Sequence, residues 1–475
     1  MLKRLCSRWK LLLAILLLTP VILWGVAQWW LGRMLQPEAL VARLEAALNC
    51  RAEVTSATAS LWSFPATLEL HGLKLAARNA DADQGKPLAQ RTALEPKEVI
   101  FAVQDFKLEL NPWALLRGNL SVRNLAVQVV NLNAETSLEG ASSLTKMMGR
   151  PAIVNGKPNA PEPTVDPVNP NTPSKDPKPL NGRKLPVAAL VDAASIEHVR
   201  LDFRSEKSKQ LIRLEDASWR LKDFAVDPGN LAKSNHAAFD LDGRFIIVAK
   251  RKTSEINPAT GKALLEKFDQ FNLGVKVDAA AALFDPKTGL LAPLPFNVTI
   301  GQGSIIEDLP ALERIGKKMN KWERFGLILP PLPSLVKIGE TARVTMIYTQ
   351  PRLALDSDLT LVLEGYQIAL HRGSWMDFNA GTCQLDMNIT GSPSLSQKAL
   401  SDFATKLKGK LGNTLGGTLS EKITSIFQKE KLILPDGRLS VPMGLTGDLA
   451  KPEVDDRITP ILENALLESI IPGLN

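Results

Sequence analysis

Apolar and polar residues alternate in run after run between Arg51 and Phe203, and each run breaks its own rhythm once. Leu68 and Leu70 are followed by Leu73 and Leu75; Val99, Phe101 and Val103 by Phe106, Leu108 and Leu110; Leu120 and Val122 by Leu125, Val127 and Val129. The same three-residue step separates Ile196 from Val199, ahead of Leu201 and Phe203. A period of two marks a strand that is wet on one side only. A three-residue step would throw all later apolar residues onto the wrong face. A bulge, which inserts one residue, or a two-residue hairpin restores the face. His71-Gly72 suits either device, whereas Gln104-Asp105 and Glu197-His198 suit bulges. Bulges at one level on successive strands bend a sheet into a trough with one apolar wall.

A second constraint lies at the N-terminus. Leu11 to Leu31 carries no charge, and at about 1.5 Å per residue it is long enough to cross a hydrocarbon core of about 30 Å. Lys3, Arg4, Arg8 and Lys10 precede it, which orients the N-terminus to the cytoplasm. Trp24, Trp29 and Trp30 lie toward the far end, where indole rings favour the headgroup level. A cleaved signal would have a shorter core and small residues at its end. Gln28, Trp29, Trp30 and Leu31 stand there instead, and Cys6 precedes the apolar run. The expectation is an uncleaved single-pass anchor with everything after Arg33 on the outer side.

The pattern orders the chain into a cytoplasmic N-terminus (1–10), an anchor (11–31), an N-terminal β region with a capping helix (36–149), a Pro-rich solvated linker (150–186), a central β region (187–390), and a helix, hairpin and helix cap (391–475). Pro37 and the Leu40, Val41, Leu44, Leu48 face predict the capping helix. Asp242-Gly243 and Asp436-Gly437 are hairpin signals. Asp308 is the expected N-cap of a helix reaching Gly326, with Leu312, Ile315, Met319 and Trp322 on one side. Helices are expected over Ser394–Leu411 and Leu419–Phe427, broken at Gly416-Gly417, and over Asp455–Ile471. The fold class is therefore mainly β with an N-terminal transmembrane helix: an elongated, curved antiparallel sheet forming a hydrophobic groove, with a few capping and connecting helices.

Chemistry-bearing motifs are missing from the sequence. The net charge is +7, four of those positive charges flank the apolar run, and no basic block interleaves with aromatics, which argues against nucleic acid. His71, His198, His236 and His371 are scattered, and Cys6, Cys50 and Cys383 make no metal or redox spacing. Cys50 and Cys383 are candidates to pair only in an oxidising compartment. Without a phosphate loop, dinucleotide fingerprint or nucleophile elbow, the expectation is a protein that is not an enzyme and takes no cofactor.

Several stretches resemble the AsmA-like proteins of the Gram-negative envelope. They are the anchor and short helix, the strand that runs into Leu115-Leu116-Arg117-Gly118 and on into another strand, and the Glu139-Gly140 turn with Leu144. The closing Asp436-Gly437, Val441-Pro442 and Gly447 to Pro452 pattern belongs with them. The likeness spans about Met1 to Leu144 and Gly391 to the end. It implies an inner-membrane anchor with the bulk of the chain in the periplasm. It also implies kinship with bridge-like lipid transfer proteins, whose curled sheet shields acyl chains, and a part in outer-membrane assembly. Membrane lipids are then the expected partners, with other envelope proteins as the alternative: a scaffold with a solid interior. On the lipid reading the lining is Leu68, Leu70, Leu73, Leu75, Val99, Phe101, Val103, Phe106, Leu108, Leu110, Val122, Leu125, Val127, Leu201 and Phe203, and the anchor includes Leu11, Trp24, Trp29, Trp30 and Leu31.

Overall fold

A computed structural model of the chain describes residues 25–26, 28–78, 86, 90–138, 142–149, 153–154, 157–158, 180–206, 209–256, 263–377, 380–411, 413–449 and 451–470. Leu11, Trp24 and the Glu139-Gly140 turn lie outside them, as does most of the Pro-rich stretch. The fold is mainly β, 51% strand and 23% helix. Among the described residues no helix is long and apolar enough to cross a membrane; the described end of the predicted anchor, residues 28–34, is helical. Two compact units share the chain: Met1–Leu241 with Ala282–Leu291, and Asp242–Ala281 with Ala292–Asn475.

In the first unit α1 (Pro37–Ala47) leads into β1 (Cys50–Glu53), β2 (Ser56–Ser60), β3 (Ala66–His71), β4 (Leu73–Ala77) and β5 (Val99–Leu110). Then come α2 (Pro112–Leu116), β6 (Leu120–Thr136) and α3 (Ser143–Met148). A two-strand pair, β7 (Ile153–Val154) and β8 (Lys157–Pro158), precedes β9 (Ala189–Ser205) and β10 (Gln210–Val226). β1 and β2 pair with β4 and β3, which lie end to end along β5. β6 follows antiparallel, β9 parallel to β6, and β10 antiparallel to β9.

The parallel step corrects the expected all-antiparallel sheet. β6 ends at one end of the sheet and β9 starts at the other, so the chain must travel back about 55 Å over a 17-residue strand. Residues 137–188 make that return.

The rhythm breaks of the sequence line up across this sheet. Gly72 sits at φ +66 between β3 and β4, and Asp105 at φ +50 within β5. β5 and β6 stay in register past Asp105 and Gln128. Further on, the β9–β10 ladder shifts between Leu214 and Ala217 and back between Ala217 and Trp219, beside Asp216 at φ +50. Glu197-His198 supplies the one extra residue on β9, two facing Ser218 alone. A second crease follows five to seven residues along each strand: the β5–β6 register shifts at Leu110, and Asp223 on β10 adopts φ +49. Asp tolerates this left-handed conformation better than most residues. At the first crease His71 Nδ1 lies 2.6 Å from Asp105 Oδ1, closing the bend across two strands.

The second unit is antiparallel from Ala263–Ala281 to Glu453–Asp456 and carries α4 (Pro310–Met319), α5 (Pro393–Leu411), α6 (Asn413–Lys429) and α7 (Ile458–Ile470). Its sheet face is packed solid. Ile315, Met319, Trp322, Phe403, Leu407, Ile423, Phe427 and Leu462 all join one buried cluster with Ile389, Val441 and Met443. Trp322 Nε1 donates to the Asp456 carboxylate at 3.3 Å, and that carboxylate also accepts the Ile458 and Thr459 amides at the start of α7.

Three local expectations are corrected here. Asp242-Gly243 lies inside the strand Asn235–Ile256, where ladder pairing overrides turn propensity. Asp308 is not the N-cap of α4; Leu309 is, with Pro310 following, and Asp308 turns to Arg251 at 3.5 Å. α6 runs through Gly416-Gly417, its cost of about 1 kcal/mol per glycine offset by Ile423 and Phe427 in the core.

Cys50 and Cys383 are both free and buried. Burial, then the nearby Glu45 carboxylate, pushes the Cys50 thiol from 9.0 up to about 11; burial and Asp448 raise Cys383. The folded chain holds the Cys50 proton more tightly than the unfolded chain does, so stability is full below pH 9 and falls as pH climbs toward 11. On a Cys6→Ser chain at pH 8, neither thiol reacts with Ellman's reagent until denaturant is added; counting released thiolate checks this.

Candidate functional site

Following the register from strand to strand shows what the creases accomplish. Five rows of side chains cross the first unit, and every position in them is apolar. The first row runs Ala52, Leu75, Phe101, Leu132, Leu201, Leu214, and the second Leu73, Val103, Val130, Val199, Ala217. Beyond the first crease come Ala57, Leu70, Phe106, Val127, Ile196, Trp219, and then Ala59, Leu68, Leu108, Leu125, Ala194, Leu221. The fifth row is Ala66, Leu110, Val122, Val191, Phe224. Without the inserted residues, the rows on either side of a crease would face opposite ways. The face measures about 24 Å across its six strand widths and about 30 Å along them.

The reverse face is polar and ion-paired. Lys107 lies 3.1 Å from Glu109 and 4.0 Å from Glu69, and buried Asp202 is 2.7 Å from Arg213 and 3.5 Å from Arg200. A cavity of about 440 Å³ opens on that side, lined in part by Lys74, Asn131, Arg200 and Asp202. Pro96, Val99 and Ala102 share its lining, and none of its lining residues belongs to the five apolar rows.

Among the described residues the apolar face is covered at two corners and less closely in between. α1 and α3 close over the first two rows: Val41, Cys50, Ala52, Leu75, Ile100 and Met147 form a buried cluster, with Leu70, Leu73, Phe101 and Leu132 packed against it. These expected lining residues are therefore helix-covered core. Phe224 at the far corner packs on Val226, Leu231 and Phe284. Between the corners, Leu68, Phe106, Leu108, Leu110, Leu125, Ile196, Trp219 and Leu221 are only half-buried and belong to no buried cluster among the described residues. Val103 and Leu201 are also half-buried, Val122 and Val127 are buried, and Phe203 is 39% exposed.

Val99 is a correction. The β4–β5 register shifts between Leu75 and Ala76, so Val99 turns to the reverse face with Ala76 and Leu94, and Ile100 takes its place. The pattern named Ile196 without placing it in the lining, and it missed Trp219 and Leu221 on β10. Their signal was present, since Leu214 to Ala217 and Leu221 to Phe224 are three-residue steps like the others.

The described residues contain no group of three His, Cys, Asp or Glu side chains placed to hold a metal ion. Comparison with protein-family models, with curated proteins and with solved structures finds no match for this chain.

Proposed function

We propose that the first unit shelters lipid acyl chains on its half-covered apolar face, and that residues 11–31 anchor the chain in the inner membrane with its bulk in the periplasm. On this reading the protein is an AsmA-like envelope protein serving phospholipid traffic and outer-membrane assembly, and it performs no covalent chemistry. One observation carries the reading: three apolar rows cross the sheet in phase, and although Ala66, Val122, Val127 and Ala194 are buried, their larger side chains, among them Leu68, Phe106, Leu108, Leu125 and Leu221, stay partly open to water. A contiguous apolar surface left partly open to water, unlike scattered exposure, is the kind that takes an occupant. Each methylene moved from water to such a face gains about 0.8 kcal/mol. A leaflet's acyl chain, about 15 Å or half the hydrocarbon core, fits within the face in either direction.

The packed second unit favours a different role for that half. Its helices close over a large buried cluster among the described residues, which suits a docking surface for an envelope protein better than a lipid-binding one.

A photo-reactive benzoyl-phenylalanine tests the reading when placed in the full-length membrane-embedded chain. At Phe106 or Leu125 it is expected to crosslink phospholipid; at Lys107 or Ala126, neighbours on the reverse face of the same strands, it is not. Equal labelling of both faces, or none at Phe106, defeats the lipid reading.

A further inference from the structure

All four tryptophans that stand exposed among the described residues belong to one end of the first unit. Trp29 and Trp30, 61% and 53% exposed, lie on the helix at residues 28–34. Trp62 (60%) and Phe64 (67%) lie in the turn between β2 and β3, and Trp113 (61%) on α2 just after β5. The register brings these segments together: Ala66, the first residue of β3, pairs with Leu110, the last of β5. Gln28 ties the helix to the same place. Its amide nitrogen donates to Ala59 O at 2.6 Å and its amide oxygen accepts the Leu61 N–H at 2.5 Å, closing part of the sheet's outer edge next to Trp62.

Scattered exposed apolar residues are ordinary, but five aromatic rings on three segments at one end are not scattered. The surrounding sequence fits one kind of neighbour. Residues 56–66 carry no charge, and residues 111–123 carry only Arg117 and Arg123. Neither segment has a carboxylate to repel an anionic surface. At the opposite end the β9–β10 turn holds Glu206, Lys207 and Lys209. Rings with an apolar body and a polar edge, next to arginine and without acid, suit the headgroup layer of a bilayer.

We propose that this end of the sheet seats in the headgroup layer of a phospholipid membrane, with Trp62, Phe64 and Trp113 as interfacial anchors beside Trp29 and Trp30. The proposal rests on the membrane-anchor reading of residues 11–31, which this end of the sheet continues through Gln28. It adds a position for the lipid-binding face: the rows nearest the membrane are those of Leu68, Leu108 and Leu125 and of Leu110 and Val122. An acyl chain leaving the outer leaflet then meets apolar side chains without first crossing water.

The test uses the full-length chain on a Cys6→Ser background, since Cys50 and Cys383 are buried. Trp62→Cys, Phe64→Cys, Trp113→Cys and, as a control at the other end, Leu138→Cys each receive an acrylodan label. The labelled chains are reconstituted into phosphatidylethanolamine and phosphatidylglycerol vesicles, with and without lipid carrying a nitroxide near the headgroup. Blue-shifted emission and strong nitroxide quenching at 62, 64 and 113, with an aqueous spectrum at 138, support the proposal. Aqueous spectra at all four overturn it, even if Phe106 crosslinks lipid, in which case the lipid-binding face survives alone. Shielded labels without any crosslink at Phe106 leave the docking intact and remove the lipid-binding face. A chain that fails to float with vesicles at all sinks the anchor and this proposal together. A Trp62→Ser, Phe64→Ser, Trp113→Ser chain remains vesicle-bound through residues 11–31, and its lipid crosslinking at Phe106 falls several-fold. Unchanged crosslinking in that variant also counts against the docking.

Discussion

Replacing Gly72 with valine is expected to destabilise the first unit by about 3 kcal/mol or more and to disturb the apolar rows around the first crease. Gly72 holds φ +66, and a Cβ built there meets the Thr55 side chain in the bend between β1 and β2. An L-residue pays about 1–2 kcal/mol for the left-handed conformation, a β-branched one more, and the collision with Thr55 adds an overpacking cost of about 1–3 kcal/mol. Relief by flattening the crease would rotate Leu73 and Leu75 away from Val103 and Phe101, exposing one set or the other. Gly118→Ala is the matched control. Gly118 sits at φ +77 in the turn after α2, with nothing within 4 Å of an added Cβ. It is expected to cost only the conformational share, about 1–2 kcal/mol. Denaturant unfolding of the two variants, followed by amide exchange in β3 to β5, gives the comparison. Equal costs would mean that the crease is not a steric fit between Gly72 and Thr55.

Much of this sheet can be read in the residues, because its face-keeping devices leave a mark in the spacing. Leu70 to Leu73, Val103 to Phe106, Val122 to Leu125 and Ile196 to Val199 each record one inserted residue: the first two meet left-handed backbone at Gly72 and Asp105, the last two a register shift at Leu110 and at Ala217. What the spacing does not carry is the choice between a bulge and a hairpin at His71-Gly72, or the direction of β9. A strand parallel to its neighbour has the same period as an antiparallel one, and only the length of the return at 137–188 distinguishes them. Val99 failed for a related reason: the bulge at Ile100 leaves no gap in an apolar run, since Val99, Ile100 and Phe101 are all apolar. Trp62, Phe64 and Trp113 were invisible as a group because they lie on separate segments, and only the pairing of Ala66 with Leu110 unites them. The half-covered state of the face was beyond the pattern too, as a lining and a core share one periodicity.

That last ambiguity is resolved by energetics, with the largest expected difference between two phenylalanines. Phe427 is fully buried, stacks on Phe403 with ring centroids 5.8 Å apart, and sits among Trp322, Ile423 and Met443. Phe427→Ala is expected to cost about 3–5 kcal/mol, the usual penalty for emptying a phenylalanine site in a closed core. Phe106 faces Leu70 and Val127 across its strands, is only partly buried and joins no buried cluster among the described residues. Its ring already meets water, so truncation removes part of the transfer energy and leaves no sealed cavity; Phe106→Ala is expected to cost about 1 kcal/mol. The two substitutions lie in different compact units, so each is read by amide exchange or proteolysis within its own unit rather than by one global midpoint. Phe106→Asp sharpens the contrast. At an open face it is tolerated to within about 2 kcal/mol, because the carboxylate can stay hydrated, while lipid crosslinking from position 125 falls at least several-fold. If Phe106→Ala instead costs as much as Phe427→Ala, and Phe106→Asp unfolds the unit, the rows are a filled core. The lipid reading of the first unit then fails, and the scaffold reading takes its place.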